Sequence, residues 1–412
     1  MNQRLSPRRF LFASAPLPGH LDWGGYLLTA AELARRGYQV LWASEPCIAS
    51  RVEQAGVAFQ AVEGVGWKWP PDEMPQNVSA DELPALRLRR AMDAWLTCDL
   101  VERGVRELIA LARQWKPDVI VGEPFVTSAA IAAEVLEIPY VQVGYPAAPW
   151  ETHGLSDAER IVAEEGAARW KQLLASFYAR GVNWPGGSAL WPQSPHLHIA
   201  FWSREWYRDE AEIYPQTQFV GGMPRPVQGE PPRWFEQLPR DKPLVFITLG
   251  STFTDDVSFF VNAARAATLA GAFPIVAYGE SALAPDLKEK LAARLPRCFA
   301  VRWVDYAHLF PRLAAIIHHG GVGTTHAAVL HCVPQVIVPH GGDQNLQAFR
   351  ADANGVGIHV AASQANVGRL RQALETALGD PGFRIRTMNL AIEFAKLGGT
   401  GRAADWIECV LP

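Results

Sequence analysis

The chain has 412 residues, 49% hydrophobic and 19% charged, a composition that supplies cores for two globular domains and excludes a disordered chain. A formal net charge of −4 gives no basis for nucleic acid as a partner. Cys47, Cys98, Cys298, Cys332 and Cys409 form no CxxC pair and no metal-ligand spacing, the pattern of reduced thiols in a cytoplasmic protein.

At the N-terminus, basic residues precede an apolar run, as in a signal peptide. Phe10–Ala15 is short, however, and runs into Pro16 and Pro18, so it reads as a first core strand. Strands are predicted at Arg9–Ala15, Gln39–Ser44, Asp118–Gly122, Tyr140–Gly144 and His198–Phe201. Helices are predicted at Leu27–Arg36, Leu86–Gln114, Thr127–Leu136 and Asp157–Tyr178. The stretch Leu86–Leu96 is basic and partly amphipathic, which leaves a solvated face and a peripheral membrane contact both open. No stretch reaches the roughly 20 apolar residues of a membrane span.

Periodicity lapses at Gly222–Lys242, rich in proline and charge, and this marks a linker. It resumes with strands at Leu244–Leu249, Pro274–Tyr278, Ala300–Val304, Ala314–Ile317, Val336–Pro339 and Gly357–Val360. Helices follow at Val257–Leu269, Pro285–Leu295, His326–Leu330, Leu346–Ala351 and Val367–Leu378. Alternation of this kind makes a parallel sheet covered on both faces, so the fold class is α/β with two doubly wound, Rossmann-like domains. The expected boundaries are 1–222, a linker at 223–243, 244–382, and helices at 383–412 crossing back to the first domain. Such sheets bind ligands at their carboxyl edges, and two edges facing each other form a cleft.

Residues 314–345 carry the clearest chemistry. The apolar run Ala314–Ile317 leads into His318, His319, Gly320, Gly321, Val322 and Gly323, and Thr324 and Thr325 open an alanine-rich helix. A strand, a glycine turn and a helix N-terminus together form an anion site. A second strand delivers Gly341, Gly342, Asp343 and Gln344 to the same edge, where a carboxylate beside an amide suits paired hydrogen bonds to sugar hydroxyls. Phosphate cradle plus hydroxyl reader points to a nucleotide-sugar. The turn is neither GxGxxG nor GxxxxGK[ST], which argues against hydride transfer and P-loop phosphoryl transfer. Taken alone, Asp343–Gln344 also reads as a helix cap.

Three landmarks in order, Pro16-Leu17-Pro18-Gly19-His20, Leu249-Gly250-Ser251 and the HHGG-x-GTT block with Asp343–Gln344, make the whole chain resemble the GT-B glycosyltransferases, family 1. The HHGG wording is more similar to bacterial antibiotic-tailoring and sterol-type members than to the plant enzymes with HCGWNS. The resemblance implies an inverting, metal-independent transfer of a hexose from a UDP- or TDP-linked sugar to a hydroxyl of a small hydrophobic acceptor. It implies no cofactor beyond that co-substrate and a GT-B fold with two domains facing across a cleft.

By the same resemblance His20 is the general base, and Glu123 stands where the family has an aspartate that orients it. Asp22 is a rival partner close in sequence. On the donor side the resemblance assigns Gly250, Ser251, His318, Gly320, Gly321, Gly323 and Thr324 to the diphosphate and Asp343 and Gln344 to the sugar. Trp303 and Val304 bracket the base, and His326 replaces a glutamate that grips the ribose in plant-type members. The acceptor lies over the first domain, with Trp67, Trp69, Trp95, Phe125, Tyr145 and Trp150 as candidate wall. Five histidines between 318 and 340 raise a metal reading, but His326 and His331 lie five apart with no carboxylate at ligand spacing. A sugar-nucleotide epimerase of the same fold and a non-catalytic auxiliary protein are the rival functions.

Overall fold

The computed structural model describes residues 8–73, 75, 78–79, 82–144, 156–185, 190–208, 212–225, 227, 229–250, 256–279, 287–341 and 343–411. Two compact units account for them. The first comprises Met1–Ser203, Asp209–Gly221 and Leu397–Pro412; the second comprises Arg204–Arg208 and Gly222–Lys396.

Among the described residues the first unit holds a seven-stranded parallel sheet. Its strands are β1 (Arg9–Ala13), β2 (Gln39–Ser44), β3 (Ala58–Ala61), β4 (Val119–Gly122), β5 (Tyr140–Val143), β6 (Leu197–Ala200) and β7 (Thr217–Phe219). They lie in the order β3-β2-β1-β4-β5-β6-β7. Strands β1, β4, β5 and β6 are apolar and buried almost throughout, because helices cover both faces of a parallel sheet. β3 and β7 escape sequence detection because both are short and partly exposed, so they lack an apolar run.

The helix expected at Leu86–Gln114 is two helices, Leu83–Leu96 and Cys98–Trp115. Thr97 breaks it with extended backbone, and its hydroxyl donates to the Asp93 carbonyl at 2.7 Å in place of continuing the helical ladder. The basic side of the first of these helices is tied to the helix Asp157–Ser176, through Arg89 to Glu165 at 2.7 Å and Arg169 to Asp93 at 2.5 Å. Among the described residues no helix is long and apolar enough to cross a membrane.

The second unit repeats the design with β8 (Leu244–Thr248), β9 (Phe273–Ala277), β10 (Phe299–Val301), β11 (Ala315–His318), β12 (Gln335–Ile337) and β13 (Gly357–His359). Their order is β10-β9-β8-β11-β12-β13, again all parallel. The proline-rich stretch expected as a linker packs on this unit, where Phe235 and Leu238 join Phe246 and Ile316 in one core. The helix Pro381–Lys396 also belongs here, with Phe394 fully buried, so the chain returns to the first unit at Leu397 and not at Phe383.

The returning helix, Gly399–Glu408, lies on the helix Tyr26–Arg35. Arg36 holds it through Asp405 at 2.8 Å, Glu408 at 2.7 Å and the Gly401 carbonyl at 2.9 Å. Gly25 permits that approach: a Cβ there would sit 2.7 Å from the Phe201 ring and 2.9 Å from Thr400.

Each sheet reverses its winding once, between β1 and β4 in the first unit and between β8 and β11 in the second. A crevice outside the carboxyl ends of the strands opens at such a switch point, and ligands of doubly wound sheets bind there. The turns after these four strands carry His20, Glu123, Gly250 and the His319–Gly323 segment.

Candidate active site

His20 lies in a short 3-10 turn, Pro18–Leu21, just beyond β1, and Glu123 follows the last residue of β4. The register aligns Ala13 with Gly122, which puts the two strand ends level. His20 Nδ1 is 3.0 Å from Glu123 Oε1. A carboxylate oxygen only accepts, so the ring donates from Nδ1 and leaves Nε2 with a lone pair. Glu123 is fully buried and takes two further bonds, from the Ala15 N–H at 3.0 Å and the Phe125 N–H at 2.9 Å. Three donors on two oxygens fix the carboxylate, and it in turn fixes the imidazole. The main-chain carbonyl of Asp22 accepts the N–H groups of Gly25 and Tyr26.

Aromatic rings wall the histidine. Trp67, Trp23 and Phe125 have ring centroids 5.0, 5.3 and 5.8 Å from that of His20, and Trp95 packs behind Phe125 at 4.7 Å. Trp23 was not singled out from sequence. It takes φ of 40°, an unfavourable region for a bulky L residue, and lies against Gly144, where a Cβ would meet it at 2.9 Å. His20 itself keeps 16% of its side chain exposed. Trp69 is half-buried, whereas Tyr145 and Trp150 fall outside the described residues.

In the second unit the helix after β11 runs Val322–Leu330, starting inside the glycine-rich turn, with Gly321 at its N-cap. The N–H groups of Gly321, Val322, Gly323 and Thr324 have no partner within the helix, and they form the positive end of its dipole. Gly320 takes φ of 92°, and a Cβ there would meet Ile337 at 2.9 Å and the Gln344 carbonyl at 3.0 Å. The turn thus requires glycine at this position. The Gly320 N–H is spent on His318 Nδ1 at 3.1 Å.

His318 therefore faces inward. Its other nitrogen donates to Gln335 Oε1 at 3.0 Å, and burial pushes its pKa down to about 4. Both of its ring nitrogens thus have partners within this unit. The adjacent His319 occupies the turn: a Cβ on Gly250 would lie 2.7 Å from its ring and one on Gly321 2.4 Å away. Its ring thus lies between the turns after β8 and β11. Nδ1 is buried without a hydrogen-bond partner among the described residues, and burial, with His318 and His340 nearby, holds its pKa well below the ordinary histidine value.

Comparison with known proteins bears on this arrangement. Sequence models of the erythromycin biosynthesis protein CIII-like N-terminal and C-terminal domains match residues 32–158 and 281–397. The chain is 23% identical over 428 residues to 4'-demethylrebeccamycin synthase of Lentzea aerocolonigenes, covering 97% of this chain and 99% of that protein. It is 24% identical over 422 residues to the TDP-daunosamine transferase DnrS of Streptomyces peucetius, covering 94% and 93%. The solved glycotransferase of kitacinnamycin shares the fold, with a TM-score of 0.73 at 22% identity over 98% of this chain and 99% of that one. The chain is a family 1 GT-B glycosyltransferase of the CIII-like kind.

The remaining residues assigned to the donor from sequence in this glycosyltransferase divide into those at the strand edge and those drawn into the core. Trp303 is 59% exposed on the turn after β10, whereas the Val304 side chain is buried with Leu309 and Phe310. Thr324 Oγ1 is 3.1 Å from the Tyr306 hydroxyl, joining the segment after β10 to the helix start. Asp343 stands at the N-cap of the helix Gln344–Ala353, but its side chain makes no capping bond. Gln344 is buried, and its Oε1 accepts the N–H groups of His340 at 2.7 Å and Gly341 at 3.1 Å. Its oxygen thus ties the helix start to His340 and Gly341. Ser251 and Gly342 lie outside the described residues.

The five histidines separate into distinct settings. His318 pairs with Gln335, His319 fills the turn, His331 packs on Phe310 with ring centroids 5.7 Å apart, and His340 meets Asp256 at 3.3 Å. His326 is buried and stacked on Phe394 at 5.5 Å, with Gly222 beside its ring. It faces the helix Pro381–Lys396.

Proposed function

We propose that this glycosyltransferase moves a hexose from a UDP- or TDP-linked donor to a hydroxyl of a small hydrophobic acceptor, by one inverting displacement without a metal. The observation that carries this is the His20–Glu123 pair at the β1/β4 switch point, 3.0 Å apart and walled by aromatic rings. With Nδ1 held by Glu123, Nε2 accepts the acceptor's hydroxyl proton as the oxygen attacks the anomeric carbon. Glu123 then steadies the imidazolium that forms. The sugar–oxygen bond to the diphosphate breaks on the opposite side, which inverts the anomeric configuration.

The leaving diphosphate gains negative charge as that bond breaks. The N–H groups of Val322, Gly323 and Thr324, the helix dipole and the His319 ring offer donors to it, so in this reading a cation is not needed. Trp303 offers a face to the base, and Asp343 a carboxylate to the sugar hydroxyls. The thymidine nucleotide in the name of the DnrS relative supports TDP among the donors to try first.

The test uses TDP-glucose and UDP-glucose with a panel of phenolic and alicyclic acceptors, following nucleotide release and the anomeric configuration of the product. His20→Ala is expected to abolish transfer while nucleotide still binds, and EDTA to leave the wild-type rate unchanged. Full turnover by the variant, a retained configuration, or EDTA inhibition reversed by Mg²⁺ would each overturn the corresponding part.

A further inference from the structure

His20 stands on the connection, residues 14–25, that leaves β1 and enters the helix Tyr26–Arg35. Both ends of that connection meet at one side chain. Tyr26 is the first residue of the helix, and its hydroxyl donates to the Ala13 carbonyl at 2.9 Å and to the Val121 carbonyl at 3.0 Å. A hydroxyl has one proton and a carbonyl only accepts, so the bond is forked between the two. Ala13 closes β1, and Val121 lies two residues before Glu123 at the end of β4. One oxygen therefore ties the start of the His20 connection, its far end and the strand that carries Glu123.

The ring that carries this hydroxyl is itself fixed. Tyr26 is fully buried, with ring centroids 4.7 Å from Trp42 and 5.6 Å from Phe12. Its main-chain N–H donates to the Asp22 carbonyl at 2.7 Å, which closes the turn just beyond His20. Ser14, at the other end, is held from β2: Trp42 Nε1 donates to its hydroxyl oxygen at 3.1 Å and the Ser44 hydroxyl to its carbonyl at 2.8 Å. Burial, with Tyr140 and Glu123 nearby, pushes the Tyr26 pKa well above the ordinary tyrosine value, so the hydroxyl remains a donor. Tyr140 provides the contrast. It is equally buried and lies over Gly122, where a Cβ would meet its hydroxyl at 2.6 Å, yet that hydroxyl has no hydrogen-bond partner among the described residues.

We propose that Tyr26 is a positioning residue for the transfer: its forked hydroxyl bond fixes the carboxyl end of β1 against that of β4 and so holds His20 in hydrogen-bond register with Glu123. The proposal rests on the reading given above of that pair as general base and orienting carboxylate. Buried beneath the connection, Tyr26 acts through the geometry of the pair and not on the substrate. A small shear between the two strand ends lengthens the 3.0 Å bond from His20 to Glu123, and proton transfer depends on that alignment. Binding of the nucleotide, assigned above to the second unit, is independent of it.

The test is steady-state kinetics of the full chain with TDP-glucose and a phenolic acceptor, in wild type, Tyr26→Phe, Tyr140→Phe, Glu123→Gln, His20→Ala and the double variant of Tyr26→Phe with Glu123→Gln. Phenylalanine at 26 keeps the contacts with Trp42 and Phe12 and loses only the oxygen. Tyr26→Phe is expected to lower kcat roughly ten- to a hundred-fold with KM for both substrates within about two-fold, the pattern of an alignment lost in the transition state. Tyr140→Phe removes a buried hydroxyl beside the same strand end and is expected to keep kcat within about two-fold of wild type, because no bond is lost. The double variant should be no slower than Glu123→Gln alone, since both changes act through one pair. Thermal unfolding reports the stability of each variant separately. A lowered melting temperature with wild-type kcat in Tyr26→Phe, an equal loss of kcat in Tyr140→Phe, or additive losses in the double variant would overturn the proposal. Full turnover by His20→Ala would instead overturn the base reading beneath it.

Discussion

Replacing Glu123 by glutamine removes a charge without changing side-chain volume, and the three donors around the carboxylate make the consequence calculable. If the amide nitrogen takes the Oε1 position, it confronts the Ala15 N–H, 3.0 Å from that site, and the His20 ring must turn acceptor at Nδ1. The proton then sits on Nε2, and the base is blocked. If it takes the Oε2 position, it confronts the Phe125 N–H, 2.9 Å from that site. Either arrangement strands a buried N–H, at a cost of about 1–3 kcal/mol in stability. Loss of a charge-assisted bond to the imidazolium costs a further ~1.5–3 kcal/mol in the transition state, or roughly ten- to a hundred-fold in kcat. Nucleotide release in the presence of a phenolic acceptor gives the rate, and thermal unfolding gives the stability. Glu123→Gln with wild-type kcat would refute the reasoning, because a correctly oriented neutral imidazole would then need no carboxylate. Lower stability alone would make Glu123 merely a brace for the Ala15 and Phe125 turns.

Gly250→Ala should weaken TDP binding by about ten-fold or more, since φ of 69° disfavours a side chain and its Cβ would press His319 at 2.7 Å; unchanged calorimetric affinity would remove His319 from the diphosphate site. His198 and His318 are both buried with pKa pushed down to about 4 from an ordinary 6.5, in each case chiefly by burial. Between those values the unfolded chain takes up protons that the folded chain refuses, so stability is full above pH 6.5 and falls toward pH 4, by on the order of 3 kcal/mol for each histidine. Denaturant melts at pH 7 and 5 check the sign, and a flat profile would contradict it. Gly25→Ala should lower stability by about 1–3 kcal/mol through overpacking against Phe201 and Thr400; a melting temperature equal to wild type would show that the returning C-terminal helix yields to it.

Much of this was legible from residues alone. β1, β2, β4, β8 and β11 stand out because strands buried on both faces are written as unbroken apolar runs, and the glycine turns that follow them mark ligand edges. The His20–Glu123 pairing was readable as well, since each residue closes a motif at a strand end and level strands bring such ends together. The edge strands β3 and β7 were not readable, because partial exposure removes the apolar signal.

Which of two neighbouring histidines turns into the core was beyond the sequence. β11 ends at His318, so that side chain keeps the face of Ile316 and turns to Gln335, which is level with Ile316. His319, one residue past the strand, falls into the turn. A shift of one residue reverses a side chain's direction in a strand, and pattern alone cannot place the end of an element so finely. The same limit explains His326, Gln344 and His340, whose partners Phe394, Gly341 and Asp256 come from packing. Sequence by itself determined the two doubly wound sheets and the chemistry gathered at their edges, because apolar periodicity and glycine turns are local properties of the chain. Tertiary structure alone decided which polar atoms remain available at those edges, because that depends on what each buried donor and acceptor finds across the fold.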